Sequence, residues 1–183
     1  MAFDNQKWES LTKESILVKK PWFEVFREEV RLPDGKIVPE YFGIEMPHYT
    51  AVFAVTEERR IMILRCYRHA IGQVTLTIPG GMIEESESPL TGIQRELLEE
   101  TGYKAKEWNS LGTFIGNSTR GCGTYHLFFA TGAYSVQEPD SGDLEELELL
   151  LWKQQEVEQA IDDKKVLSLG VLSMLLLGLR CLK

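Results

Sequence analysis

Cysteine is scarce in this 183-residue chain. Its three, Cys66, Cys122 and Cys181, are too few, odd in number and too scattered for a disulfide framework or a zinc site. Basic charge is in deficit, with 20 Lys and Arg against 28 Asp and Glu, a net charge of −8. Gripping a nucleic-acid backbone needs clustered cations, so that class of function is disfavoured. A nucleotide substrate is not excluded, because bound cations can reverse the local sign. No hydrophobic run is long enough to cross a bilayer. The longest, Val166 to Leu179, is fourteen uncharged residues, short of the roughly 18–20 required, and is expected to be a helix buried against the domain. The opening MAFDNQKWES has acidic residues and no apolar run, unlike a secretory signal, so a reducing cytoplasm is the expected setting. Internal repeats and low-complexity linkers are also missing.

The length suits one sizeable core with an accessory segment. Residues 1–47 read as a β-rich segment, with FEVFREEVRL and KIVPEYFGIEM flanking the turn tripeptide Pro33-Asp34-Gly35. Residues 48–183 read as the main domain. TAVFAV and RIMILRCYR predict an antiparallel pair whose blurred alternation suits strands covered on both faces. SLGTFIG, YHLFFATGAYSV and LELLLW predict further strands, and QQEVEQAID and the apolar tail predict two helices. The sum is an α+β unit with a mixed sheet between helices.

The densest chemistry lies between Gly81 and Tyr103, GMIEESESPLTGIQRELLEETGY. Ser88 is a fitting N-cap, Pro89 a fitting first helical residue and Gly102 a C-terminal stop. On that helix Glu96 and Glu100 lie about 40° apart around the axis, with Glu99 within a turn of both. Leu90, Ile93 and Leu97 form an apolar stripe. No lysine is interleaved to relieve the crowded acids. Hard oxygen donors of this kind suit Mg²⁺ or Mn²⁺. The bland alternative is a solvated acidic helix face. Arg95 reads as a residue that orients Glu87 or Glu99.

Gly81, five residues, Glu87, seven residues, Arg95-Glu96-Leu97, one residue, Glu99-Glu100, one residue and Gly102 together resemble the Nudix box. Only Tyr103 departs, standing where an aliphatic residue is usual. The flanks, LPDG, IEMP, CYRHA and IPGGMIEESES, resemble the ADP-ribose and nucleotide-sugar pyrophosphatase branch. The resemblance implies a Nudix α/β/α sandwich and two or three divalent ions held by Glu96, Glu99, Glu100 and the Gly80 carbonyl. Glu84 and Glu87 match loop acids of the branch. The resemblance further implies a late acidic loop that supplies the base activating water. Its counterpart here is Gly142 to Glu146, where either Glu145 or Asp143 fills the role and Glu145 also reaches metal; an acidic surface turn is the alternative.

Arg68 matches an arginine that approaches substrate, unless it is a structural ion pair. Arg120, in NSTRGCG, stands in a loop where the branch often shows Ser-x-Glu. Trp22, with Trp8 and Phe23, is a candidate to stack the nucleobase in a segment that the resemblance makes a homodimer interface. Thr77 replaces a usual glutamate, Cys66 a frequent glutamine, and Gly80 an alanine, the last as in Nudix enzymes acting on nucleoside triphosphates. The expected activity is hydrolysis of the pyrophosphate of an ADP-ribose-like nucleoside diphosphate sugar, with catalytic Glu100, Arg95 and Glu145 or Asp143. Triphosphate hydrolysis and a non-catalytic ligand-sensing domain are the alternatives.

Overall fold

A computed structural model describes residues 7–142, 144 and 146–182; Asp143 and Glu145, the two base candidates, lie outside the described residues. The chain divides into two compact units, Met1–His48 with Ile115–Thr124, and Tyr49–Phe114 with Tyr125–Lys183.

In the first unit β1 (Glu9–Lys19), β2 (Phe23–Arg31) and β3 (Ile37–Glu45) form an antiparallel sheet in that order. The expected hairpin is β2–β3. Its turn closes through Gly35 N–H donating to the Leu32 carbonyl at 2.9 Å, with Gly35 at φ +86, a conformation that a side chain would strain. β1 is an addition to that expectation. Its ESLTKESILVK has no clear apolar period, and cross-strand charge accompanies its ladder: Arg27 meets Glu14 at 2.6 Å, Arg31 meets Glu9 at 2.5 Å, and Lys13 pairs with Glu45. Exposed pairs of this kind add little to stability. Val30 is the one buried apolar side chain of this unit among the described residues.

A mixed eight-stranded sheet, which belongs to the second unit except at the ends of β4, β9 and β10 that fall in the first, is made of β4 (His48–Thr56), β5 (Ile61–Arg68), β6 (Gln73–Thr77), β7 (Gly80–Met82), β8 (Tyr103–Lys104), β9 (Glu107–Asn117), β10 (Cys122–Ser135) and β11 (Leu147–Trp152). Its path is β11-β5-β4-β10-β8, with β6 on β5, β7 on β4 and β9 on β10. Helices α1 (Pro89–Thr101), α2 (Gln154–Asp162) and α3 (Leu169–Cys181) complete the unit.

Successive strand residues point to opposite faces, and here both faces are apolar. Val52 and Ala54 of β4, Met62 of β5, and Phe128 and Ala130 of β10 join Ile93 and Leu97 of α1 in one core cluster. Their neighbours Phe53, Val55, Ile61, Ile63, Leu127 and Phe129 join Val157 and Ala160 of α2 and Met174 and Leu175 of α3 in the other. The result is an α/β/α sandwich. Double coverage explains why the apolar alternation of these strands is blurred in the sequence. The apolar tail is a buried-face helix, and no helix among the described residues is long and apolar enough to cross a membrane.

Helix α1 starts and stops where its sequence signals stand. Ser88 Oγ accepts from Thr91 N–H at 3.1 Å, Pro89 follows, and Gly102, at φ +74, donates its N–H to the Leu98 carbonyl at 2.8 Å. A methyl at Gly102 would come 2.1 Å from the Gln137 carbonyl oxygen, so the stop also depends on close backbone approach. Leu90 departs from the expected stripe. It is 39% exposed, leaving Ile93 and Leu97, both fully buried, to fasten the helix.

Gly178 brings α3 against Phe53, where a Cβ would sit 2.1 Å from the ring and 2.7 Å from the Phe53 Cβ. Phe53 is fully buried and has no room to give. Gly178→Ala is therefore expected to destabilise the protein by about 1–2 kcal/mol despite the better helix propensity of alanine, lowering Tm on the order of 2–8 °C. Thermal unfolding followed by circular dichroism measures this, and an unchanged or raised Tm would contradict the packing.

Candidate active site

Strand β7 lies against β4, pairing Met82 with Tyr49, Gly81 with Thr50 and Gly80 with Ala51. Both glycines are required by what approaches them. A methyl on Gly80 would meet the Thr50 carbonyl oxygen at 2.3 Å and the Ala51 Cα at 2.7 Å, and one on Gly81 would meet Glu96 Oε1 at 2.3 Å. The bare backbone at Gly81 thus forms a cradle for the Glu96 carboxylate. Beside it, Glu100 Oε2 accepts from Gly80 N–H at 2.8 Å, and Glu100 is only 8% exposed. A charged side chain at that burial needs partners, and a backbone donor of the glycine turn is one.

Arg95 gathers the remaining acids. Its Nε and Nη2 donate to the two oxygens of Glu87, each at 3.1 Å, as a bidentate fork. Nη1 donates to Glu96 Oε1 at 2.9 Å and Glu99 Oε2 at 3.0 Å, and Nη2 also reaches the Met82 carbonyl at 3.1 Å. The loop between β7 and α1 is closed further by Glu84 N–H donating to Glu87 Oε2 at 3.1 Å. The hydrogen bonds from Arg95 hold the Glu87 carboxyl below its ordinary range, and the same bonds push the guanidinium pKa up.

Four carboxylates, Glu87, Glu96, Glu99 and Glu100, stand against one guanidinium, which bonds the first three, so the cluster carries a formal charge of −3. Among the described residues no three acidic, histidine or cysteine side chains converge as a ready-made cation cage. Arg95 engages an oxygen each of Glu96 and Glu99. Even so, the surplus of hard oxygen donors on a rigid helix, with the Glu96 carboxylate seated over a glycine, fits a divalent cation of the Mg²⁺ class.

The other candidates stand on other elements. Arg68 ends β5, half-buried, opposite Gln73 of β6, and leads into a 3₁₀ turn at His69–Ile71. Arg120 belongs to the N-terminal unit, where Nη1 donates to the Phe42 carbonyl at 3.1 Å and its own carbonyl accepts from Ile44 N–H at 3.0 Å. Trp22 is in the same unit, 64% exposed in the turn between β1 and β2. Trp8 packs edge-on to Tyr41 at 5.8 Å, and Phe23 is 37% exposed. Thr77 and Cys66 are buried sheet residues, opposite Leu64 and Thr75 respectively. The Met82 carbonyl, part of the arginine's anchorage, escaped the sequence reading because a backbone acceptor has no residue signature. The stacked pair Tyr49–Tyr125, with ring centroids 5.3 Å apart and planes at 20°, was missed because its members are remote in sequence.

Comparison with known families matches residues 46–169 to the NUDIX domain. An ADP-ribose pyrophosphatase of Bacillus subtilis (strain 168) is 31% identical over 137 residues, covering 75% of this chain and 73% of that protein. A methanol dehydrogenase activator of Bacillus methanolicus is 31% identical over 145 residues, covering 76% of this chain and 75% of that protein. A solved structure of an ADP compounds hydrolase superimposes with a TM-score of 0.81 at 19% identity, covering 94% of this chain and 92% of that one, which shows a shared fold.

The Glu87–Arg95 fork makes stability pH-dependent in a defined direction. Because the folded pKa of Glu87 is lowered, its contribution is complete above the ordinary carboxyl value of 4.5 and is lost as pH falls through the lower folded value. Glu87→Gln should cost about 1.5–3 kcal/mol at pH 7. Chemical denaturation at pH 7 and at successively lower pH is expected to show that gap closing below about 4.5; a gap that stays constant would contradict the ionised fork.

Proposed function

The chain belongs to the Nudix hydrolase family, and we propose that it hydrolyses the pyrophosphate of an ADP-ribose-like nucleoside diphosphate sugar to a nucleoside monophosphate and a sugar phosphate. The observation that carries this reading is the glutamate cluster of α1, held by Arg95 and seated on Gly80 and Gly81. The ADP-ribose pyrophosphatase similarity supports the substrate class.

Water attacks one phosphorus in line, a new P–O bond forms, and the bridging P–O bond breaks with its electron pair leaving on the second phosphate. Glu96, Glu99, Glu100, Glu145 and the Gly80 carbonyl would hold two or three Mg²⁺ or Mn²⁺ ions, whose charge when bound screens the diphosphate and makes water more acidic. Arg95 fixes the directions of Glu87, Glu96 and Glu99, so these carboxylates need little rearrangement when substrate arrives. Gly80 N–H does the same for Glu100. Glu145 or Asp143, assigned from the sequence alone, takes the proton of the attacking water. Arg68, which the resemblance brings close to substrate, and Arg120 and Trp22 are assigned to substrate binding from the sequence. The exposed Ile16, Leu17, Val18 and Trp22 of the N-terminal unit support a homodimer, and a cytoplasmic setting completes the reading.

Triphosphate hydrolysis drew support from Gly80, but the close approach of Thr50 and Ala51 already accounts for a glycine there. Products decide between the two. ADP-ribose is expected to give AMP and ribose 5-phosphate, and pyrophosphate released from a nucleoside triphosphate as the main activity would overturn the proposal. Chelation should abolish turnover. Glu100→Gln should lower kcat by about a hundredfold or more, some 2.7 kcal/mol of barrier; a loss below threefold on every diphosphate tried would sink metal catalysis at this helix.

A further inference from the structure

Thr50 carries a buried hydroxyl that the reaction outlined above does not use. The residue is 1% exposed, on the face of β4 where Val52 and Ala54 meet α1, and valine would fill the same space with no polar group to satisfy. Its Oγ1 faces two carbonyls, that of Pro89 at 3.2 Å and that of His126 at 3.3 Å. A hydroxyl has one proton to donate, so a single shared proton links the first residue of α1 and strand β10 to a seat on β4. The main chain around the same residue holds the glycine turn. Thr50 is opposite Gly81 on the β4–β7 ladder, its carbonyl oxygen lies 2.3 Å from where a Cβ of Gly80 would be, and Val52 N–H donates to the Pro79 carbonyl at 2.9 Å. Its methyl group lies under the helix, 3.5 Å from the position of a Cβ on Gly92.

The cluster takes its shape only if Glu96 falls on Gly81 and Glu100 on the Gly80 N–H. Ile93 and Leu97 press α1 onto the sheet, yet apolar contact is non-directional and does not by itself fix a helix along its axis. Arg95 ties the helix directionally at one point, the Met82 carbonyl. Pro89 stands six residues earlier, about 9 Å along the axis, and a second directional tie there stops the helix from sliding or turning about the first. We propose that Thr50 is a positioning residue for the acidic cluster: its hydroxyl fixes where α1 begins over β4, and so seats Glu96 on Gly81 and Glu100 on Gly80. This rests on the metal-assisted reading of the cluster given above. The role belongs to the hydroxyl, whereas packing belongs to the methyl, so function and stability separate on substitution.

Thr50→Val keeps the volume and removes the tie, and Thr50→Ser keeps the tie and removes the methyl. Mn²⁺ binding is followed by electron paramagnetic resonance, hydrogen exchange of the Gly80 amide by NMR, and kcat and KM for ADP-ribose at saturating Mg²⁺, with Tm measured alongside. Thr50→Val should weaken Mn²⁺ binding about fivefold or more, speed exchange at Gly80 about tenfold while the amides of β5 keep their protection, and lower kcat about tenfold with KM within about twofold. Thr50→Ser should stay within about threefold of the parent in all three, although its Tm falls by about 2–4 °C. Mn²⁺ binding and Gly80 exchange within twofold of the parent in Thr50→Val, or losses in both variants that follow their Tm, would overturn the assignment. Should Thr50→Val fail to fold, Thr50→Ala and Thr50→Ser, which differ in the hydroxyl alone, put the same question. Exchange at Gly80 needs neither metal nor substrate, so failure of the assignment is distinguishable from failure of the proposed activity, which the products of the parent enzyme report.

Discussion

A single guanidinium organises the acidic cluster on and beside α1. Three of the four glutamates on and beside α1 would repel one another without Arg95, and each is bonded to it. The fifth contact, to the Met82 carbonyl, ties helix to strand. One side chain therefore sets the loop before the helix, the direction of the carboxylates and the seating of α1 on β7. Lysine could supply the charge but not the planar fork that meets both oxygens of Glu87. Cluster and scaffold are in this sense the same interaction.

The glycines around it act by omission. Gly81 leaves room for Glu96, Gly80 for the backbone of β4, and Gly102 for the chain that crosses the end of α1. There the Gly102 carbonyl accepts from Val136 N–H and the Glu99 carbonyl from Asp140 N–H, so two of the helix's terminal acceptors are satisfied. The box spacing therefore records a packing solution as well as a set of carboxylates. Gly80 illustrates the difference: as a letter it suggested a change of substrate, whereas the position of Thr50 explains it sterically.

Much of the architecture was legible because its signals are local. Ser88, Pro89 and Gly102 bound α1, and LELLLW and QQEVEQAID coincide with β11 and α2. β1 was not legible, since a strand held by cross-strand charge shows no apolar period. β7 and β8, of three and two residues, are too short for any period and exist only through the partners they meet. In the site, the acids could be read from spacing, because i, i+3 and i+4 positions share a helix face. The anchorage at Met82 and the meeting of Tyr49 with Tyr125 could not, since both depend on which strands lie side by side. Leu90 shows the opposite error: a residue with the right period that stands at the first turn, beyond the reach of the core.

The two units also differ in how they resist opening. The sandwich buries aliphatic and aromatic side chains on both faces of its sheet, and its central strands can exchange their amide protons only when that packing is lost. The N-terminal sheet has Val30 as its buried apolar residue among those described, with Val25 and Phe26 only half-buried, and adds ladder hydrogen bonds and exposed ion pairs that dissolved salt screens. Its cooperativity is correspondingly local. In a deuterium-exchange experiment it would behave as a separate foldon, whose protection falls as ionic strength rises while that of β4 and β5 holds.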